Sequence, residues 1–451
     1  MPQPDQGLKA HHAADEAADE AAGCAAEEAV APDVPFGQAL AFWFKLGWIS
    51  FGGPAGQIAL LQQELVERRR WIGQRRFLHA LNFCMLLPGP EAQQLATYMG
   101  WLLHRTWGGV AAGVLFVLPS LLILIGLSWL YMAQAGHPLV QGVLAGVKPA
   151  VVAVVAVAAW RIGRRVLTHP LLWAVAAAAF LGLSVLGVPF PLVLLAAAFT
   201  GWVGSHRMPQ AFDSAAPHAQ GVTLVGIGSA VAWRPAVVIL LMWACSLAAL
   251  ALAFGPEGTL VQMGWFFTQA ALMTFGGAYA VLPFVVQGAV DHHQWLSAAQ
   301  MIDGLALGES TPGPLIMVVA FVGFVGGWGQ ALFGPEHRLL AGAAAAAVVT
   351  WFTFLPSFLF ILAGAPWVER TRGLRSLAAP LAAITAAVVG VVLNLALFFA
   401  QQVLWPPGAH GPDLVSCVVT FAAVLLLVRA GWGVMPVIGV AAVFGVLRSL
   451  F

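Results

Sequence analysis

Charge is what this sequence has least of. Of its 451 residues only 9% are Asp, Glu, Lys or Arg, against 60% hydrophobic, and the mean hydropathy is +0.87. A soluble domain carries about 25% charged residues, so this chain cannot cover a water-exposed surface and its composition is that of an integral membrane protein. The net charge of +1 supplies no basic field for nucleic acid. Cysteine is scarce as well. Cys24, Cys84, Cys245 and Cys417 are far apart and form neither a metal-ligand spacing nor a disulfide framework. Three of them lie in apolar segments, where a free thiol acts as a small hydrophobe. No cysteine pair, haem-ligand pattern or dinucleotide fingerprint occurs, which argues against a membrane-embedded redox enzyme and leaves no cofactor to expect. The first 35 residues also lack the charged start and apolar core of a signal peptide. They hold eight acidic residues and an Ala-rich run, and are expected to be a disordered acidic cytoplasmic tail. His11-His12 in that tail lacks the spacing of a metal site.

What is present is a repeat. The stretch Phe51-Gly52-Gly53-Pro54 to Leu87-Pro88-Gly89-Pro90 recurs as Phe275-Gly276-Gly277 to Thr311-Pro312-Gly313-Pro314, at a constant offset of 224. Gln63 matches Gln287, Val66 matches Val290, Trp71 matches Trp295 and Leu81 matches Leu305, giving ten identities in forty without a gap. Gly, Pro and Trp held in one register indicate an internal duplication.

A spanning helix needs roughly 20 apolar residues. Segments of that kind are expected at 108–131, 139–160, 169–187 and 188–204, at 235–254 after a polar linker, and at 338–363, 375–400, 412–429 and 433–450. Two segments per half are interrupted: 36–66 and 260–290 by Phe-Gly-Gly, 77–104 and 298–330 by Pro-Gly-Pro. Proline blocks helix continuation, and backbone freed at membrane depth survives only inside protein or beside a water-filled cavity. Each Pro-Gly-Pro segment is therefore a broken span or a re-entrant hairpin. The basic residues choose between these. If 77–104 enters and leaves on one face, the loops bearing Arg68, Arg69, Arg70, Arg75 and Arg76 and bearing Arg161, Arg164 and Arg165 share the cytoplasmic side. In the second copy the bias is exchanged: 290–300 and 401–413 have no Lys or Arg, and 364–375 carries Arg370, Arg372 and Arg375. The expected architecture is all-α: two inverted-topology repeats, each with two Gly/Pro-broken hairpins and about four spanning helices. The expected divisions are a tail (1–35), a first repeat (36–204), a linker with one helix (205–257) and a second repeat (258–451). The N-terminus is then cytoplasmic and the C-terminus periplasmic. Matched interrupted segments in two halves point to a transporter's binding site.

These motifs resemble the chromate ion transporter (CHR) family in its long, two-domain bacterial form. The resemblance rests on Phe51-Gly52-Gly53-Pro54, the Arg-Arg-Trp loop, Pro88-Gly89-Pro90-Glu91-Ala92-Gln93-Gln94-Leu95-Ala96 and Thr311-Pro312-Gly313-Pro314-Leu315-Ile316-Met317, and covers roughly residues 36–450. It implies export of chromate from the cytoplasm, driven by membrane potential or proton gradient, and hence chromate resistance. Sulfate or another oxyanion is the alternative cargo, and a homodimer is open.

Chromate is a small dianion resembling sulfate. Helix N-termini can hold such an anion through free N–H groups and about half a positive charge each. Gly89-Pro90 and Gly313-Pro314 suit an N-cap followed by N1, and Gly52-Gly53-Pro54 and Gly276-Gly277 can start two more half-helices. The expected anion site is thus Gly52, Gly53, Pro88, Gly89, Pro90, Gly276, Gly277, Thr311, Pro312, Gly313 and Pro314, with Lys148 as an attracting cation or as the partner of a carboxylate. Glu91 and Glu309 are the candidate proton carriers. Their repeat equivalents, Leu315 and Met85, are apolar. Asp303 is expected at a solvated hairpin entrance, and Lys45 to snorkel or to serve function. Ser310 and Thr311 are hydroxyls that either face the anion or bond their own helix. Gln93, Gln94 and Asn394 are polar groups in apolar segments, and the positive-inside rule already accounts for the Arg cluster at 68–76.

Overall fold

The computed structural model describes residues 34–134, 136–208, 233–368, 375–406, 408 and 411–450. The acidic tail up to residue 33, linker residues 209–232, and Arg370 and Arg372 lie outside them. The described residues are helical throughout. The first half runs α1 (Phe36–Ile49), α2 (Gly53–Gln62) with a π-helical extension (Gln63–Arg68), α3 (Gln74–Leu86), α4 (Glu91–Ala133), α5 (Pro138–Val166), α6 (Pro170–Ser184) and α7 (Phe190–Arg207). One helix, α8 (Trp233–Phe254), leads to the second half. There follow α9 (Thr259–Leu272), α10 (Ala278–Val286) with its own π extension (Gln287–His292), α11 (Ala298–Glu309), a 3-10 turn (Leu315–Met317), α12 (Val318–Gly329), α13 (Arg338–Val368), α14 (Arg375–Leu404), α15 (Leu414–Val428) and α16 (Val434–Leu450). Among the described residues five helices are long and apolar enough to cross a membrane. With no water available in hydrocarbon, helices of this kind satisfy their own backbone.

Both interrupted segments of each half fold back on themselves. Phe42 meets Trp71 with ring centroids 5.2 Å apart, and Phe266 meets Trp295 at 5.6 Å, the same contact 224 residues on. A straight helix would hold such residues about 40 Å apart, so the chain turns at each Phe-Gly-Gly. Phe83 meets Tyr98 at 5.9 Å across Pro88-Gly89-Pro90. A Cβ on Gly308 would lie 3.3 Å from Val318 across Pro312-Gly313-Pro314. Both Pro-Gly-Pro motifs are therefore hairpin tips. The long α4 is also two arms: His104 and Arg105 leave helical geometry, Arg105 at φ 54°, and Gly100 and Gly108 allow close approach of the antiparallel arms.

The repeat extends to backbone detail. Left-handed backbone occurs at Gly52 and Gly276, Gly53 and Gly277, Arg70 and Gln294, and Gly89 and Gly313, always 224 residues apart. Between halves the packing is reciprocal. The α5 helix packs on α15 and α16, and α14 packs on α6 and α7. Gly142, Gly146 and Gly445 bring α5 and α16 to backbone contact, as Gly390 does for α14 against α6. The largest core lies around α10, α11 and α12, where the second copy's hairpins meet α5 and α14. A second core joins α1, α3 and the first arm of α4 to α13.

Candidate functional site

The two tips are tied to the opposite half in the same way. Gly89 N–H donates to the Thr274 carbonyl at 2.7 Å, and Gly313 N–H donates to the Ser50 carbonyl at 2.8 Å. Ser50 and Thr274 occupy equivalent positions, each just before a Phe-Gly-Gly turn. An exchange in which each copy gives what it receives is the contact pattern of a twofold axis. It brings the Pro-Gly-Pro tips and the Phe-Gly-Gly turns, 224 residues apart in sequence, into one central cluster.

Around this cluster lie polar side chains shut off from solvent. A Cβ on Gly89 would stand 2.5 Å from both Ser357 Oγ and Gln94 Nε2, and one on Gly313 would stand 2.6 Å from Ser120 Cβ and 2.9 Å from its Oγ. Ser120 and Ser357 each sit in a Leu-Pro-Ser triplet, at 118–120 and 355–357. Each therefore contacts the tip of the other half. Gln57 Nε2 donates to the Gly313 carbonyl and, at 3.3 Å, to Ser50 O. Gln94 Nε2 donates to Pro88 O at 2.8 Å. Ser50, Gln57, Gln94, Ser120 and Ser357 are fully buried. The three hydroxyls and the Oε1 atoms of both glutamines find no hydrogen-bond partner among the described residues. Buried polar groups ordinarily have partners, because leaving one unpaired costs about 1–3 kcal/mol. Unpaired hydroxyl donors gathered at two turns can serve the oxygens of a bound anion.

The tip helices start one residue later than the Gly N-cap, Pro N1 pattern predicts. Pro90 (ψ 103°) is itself the N-cap of α4, and Pro314 (ψ 135°) caps the 3-10 turn that leads α12. Extended ψ at each proline leaves the next residue, Glu91 or Leu315, to begin the helix. Gly52 and Gly277 do act as N-caps, of α2 and α10. Thr311 sits in the second tip, but its hydroxyl donates to Gly308 O at 3.0 Å, and Ser310 donates to Leu307 O at 2.8 Å. Their donors are spent on their own helix, so Thr311 shapes the turn.

The carboxylates have defined neighbours. Glu309 ends α11 beside the tip, buried, and Tyr279, two residues after Gly277, donates its hydroxyl to it. Glu91 opens α4 beside the other tip, within electrostatic reach of Arg165. Asp303 departs from the solvated role expected of it. Its side chain is 4% exposed, Lys148 Nζ lies 3.2 Å from Oδ1, and Tyr131 donates to Oδ2 at 3.0 Å. Lys148 is thus an ion-pair partner away from the tips. Two of the chain's three tyrosines serve these buried carboxylates.

Lys148 and Asp303 line a cavity of about 590 Å3, together with Tyr131, Asp413, Ser416 and Arg448. Asp413 caps α15, accepting from Val415 N at 3.1 Å and Ser416 Oγ at 2.7 Å. The Ser416 hydroxyl, and after it the backbone N–H groups, hold its carboxyl below the usual range. Among the described residues no group of three or more His, Cys, Asp or Glu is placed to hold a metal ion.

A chromate transport protein of Pseudomonas aeruginosa is 33% identical over 434 residues, 91% of this chain and 95% of its own. One of Cupriavidus metallidurans is 28% identical over 400 residues, 88% and 89% of the two chains. A probable chromate transport protein of Synechococcus elongatus is 27% identical over 388, covering 83% and 87%. No solved structure matches the chain. The description "Chromate transporter" fits residues 37–202 and again 261–446, one match to each half of the duplicated frame, and the chain belongs to that family.

Proposed function

We propose that this multi-pass membrane protein is a secondary active exporter of chromate in the bacterial inner membrane, and so confers chromate resistance. Its relatives carry the name of chromate transport proteins, and the matched interrupted segments of the two halves suit a transporter's binding site. On this reading the two halves are inverted repeats, the Pro-Gly-Pro hairpins are re-entrant from opposite faces, and the N-terminus is cytoplasmic. The exchange of basic loops between the halves supports that topology. The anion lies between the tips Pro88-Gly89-Pro90 and Pro312-Gly313-Pro314 and the turns Gly52-Gly53 and Gly276-Gly277. It is held by helix N-termini and the hydroxyls of Ser50, Ser120 and Ser357 rather than by fixed charge. Glu91 and Glu309, one beside each tip, carry the coupling protons, and Tyr279 orients Glu309.

The observation that carries the proposal is the reciprocal one. Each tip amide is bonded to the other half's turn, and each tip touches a buried, unpaired serine of the other half. Rocking one half against the other would open this cluster to alternate sides without rebuilding either tip. The test is chromate accumulation in cells expressing the wild type or Ser120→Ala/Ser357→Ala at matched abundance. Lower chromate in wild-type cells than in cells without the protein, lost in the double variant, is expected. Equal accumulation with and without the wild-type protein would refute export. Export by the double variant at the wild-type rate would remove the serines from the site.

A further inference from the structure

The chain has a second charged locus that the tip cluster does not use. The Lys148 side chain is 29% exposed and the Asp303 side chain 4%. The ammonium therefore fronts the cavity and the carboxylate sits behind it. The contact is a charge approach at 3.2 Å, not an aligned hydrogen bond: Oδ1 has no hydrogen-bond partner among the described residues. Tyr131 fixes the far oxygen, Oδ2. Of the other charged groups lining the cavity, Asp413 caps α15, and Arg448, an exposed cation at the end of α16, lies within electrostatic reach of it. Ser416 also lines the cavity, but its hydroxyl is spent on Asp413. The volume of about 590 Å3 equals on the order of twenty waters at their liquid share. That is room for an anion still carrying much of its hydration, unlike the fully buried tip cluster. Asp303 lies six residues before Glu309 on α11, about 9 Å along the helix, so the cavity lies on the arm that leads to the second tip.

We infer that this cavity is a second binding site for a tetrahedral divalent oxyanion, in which Lys148 holds the anion and Asp303 competes with it for the ammonium. The site deepens the transport reading and rests on it: the anion leaving the tips exchanges buried helix-terminus donors for an ion pair facing a cavity before release. The competition fixes signs that a merely structural ion pair would not. Replacing Asp303 by Asn keeps a hydrogen-bond acceptor for Tyr131 and frees the ammonium, so binding tightens. Replacing Lys148 removes the anion's partner, so binding weakens.

The test is isothermal titration of chromate into the full-length protein, purified in lipid nanodiscs, with folding checked by gel filtration. Asp303→Asn is expected to bind chromate on the order of tenfold more tightly than wild type. Lys148→Arg should retain affinity. Lys148→Gln/Asp303→Asn, which leaves neither charge buried alone, should lose the gain. Arg448→Gln, an exposed substitution with little risk to folding, should weaken binding. The tightening by Asp303→Asn should persist in the Ser120→Ala/Ser357→Ala background, separating the cavity from the tips. Wild-type binding left unchanged by Asp303→Asn, by the double variant and by Arg448→Gln would overturn the cavity site and leave the tip reading standing. Absence of chromate binding in wild type and Asp303→Asn alike would overturn both.

Discussion

A single methyl group at the second tip tests the central cluster. Gly313 has φ +104°, and a Cβ there would lie 2.6 Å from Ser120 Cβ, where apolar carbons prefer about 3.5–4.0 Å. Holding a non-glycine residue at this backbone geometry costs about 1–3 kcal/mol. Overpacking against a fully buried neighbour costs a similar amount again. Relief requires the tip to move, and movement breaks the 2.8 Å bond from Gly313 N to Ser50 O. Even 2–3 kcal/mol set against the assembled tip lowers its population roughly 30- to 150-fold. Gly313→Ala should therefore cut the initial rate of chromate efflux from preloaded cells by at least about tenfold at matched abundance. Gly89→Ala should do the same, since Gly89 has φ +129° and equally close neighbours. Gly126→Ala is the control: it lies within α4 with no atom of another residue near its Cβ position, and efflux should be unchanged. Measured against Ser120→Gly alone, adding Gly313→Ala should cost less than it costs in the wild type, because the side-chain part of the clash is gone. Wild-type efflux from Gly313→Ala would refute the claim that the tip geometry is needed for transport.

Three further outcomes follow from single contacts. Tyr279→Phe leaves the Glu309 carboxylate buried without its donor, a loss of about 1–3 kcal/mol visible as a lower thermal midpoint. Glu309→Gln alone, which can still accept from Tyr279, should keep most of the wild-type midpoint while abolishing coupled efflux. Asp413→Ala should cost about 1 kcal/mol through the lost N-cap of α15, and Asp413→Asn little. The Asp413 carboxyl is held below its ordinary range, so its stabilisation is present above the unfolded value of about 3.9 and is lost as pH falls through the lower folded value. A pH titration of the wild-type midpoint minus that of Asp413→Asn should thus be flat from neutral pH to about 5 and fall only in stronger acid. Cysteines introduced at Arg69 and Asp291, equivalent loops of the two halves, should label from opposite sides of the membrane. Labelling from one side would rule out the inverted topology.

The sequence reached further into the fold than into the site. One offset of 224 located both broken segments of each half, and the π turns and left-handed residues recur at that offset because identical backbone needs come with the duplicated Gly, Pro and Trp. The same device hid Ser120 and Ser357. Their Leu-Pro-Ser triplets lie 237 apart. The link between the arms of α4 is the two-residue kink at His104-Arg105, whereas α12 and α13 are joined through residues 330–337. A search at constant register ends at that longer connection. Allowing one gap would have found the second triplet. The Lys148–Asp303 pair and the Tyr131 bond to Asp303 join positions 155 and 172 residues apart, and nothing local in the sequence announces them. Of the two alternatives for the Thr311 hydroxyl, the structure shows the local one: a hydroxyl at the end of a helix finds its own i−3 carbonyl.

The frame repeats while the chemistry does not, and the difference has a mechanical reading. A carrier that alternates between two faces needs its two end states close in energy, since a gap of a few kcal/mol would leave one face unpopulated. A twofold frame with reciprocal tip bonds provides near-degeneracy, because what one half loses the other regains. On the proposed reading coupling to protons must then come from groups that the repeat does not share. Those groups are Glu91 against Leu315, Glu309 against Met85 and Asp303 against His79, with Gln57 against Val281 and Gln94 against Val318. The unmatched acids stand on different arms. Glu91 opens the second arm of one hairpin, and Asp303 and Glu309 lie on the first arm of the other. A proton on Glu309 therefore has no counterpart when the halves exchange roles, and its free energy differs between the two states. On the proposed reading that difference couples protonation to the exchange of states, and the proton gradient then drives the cycle one way.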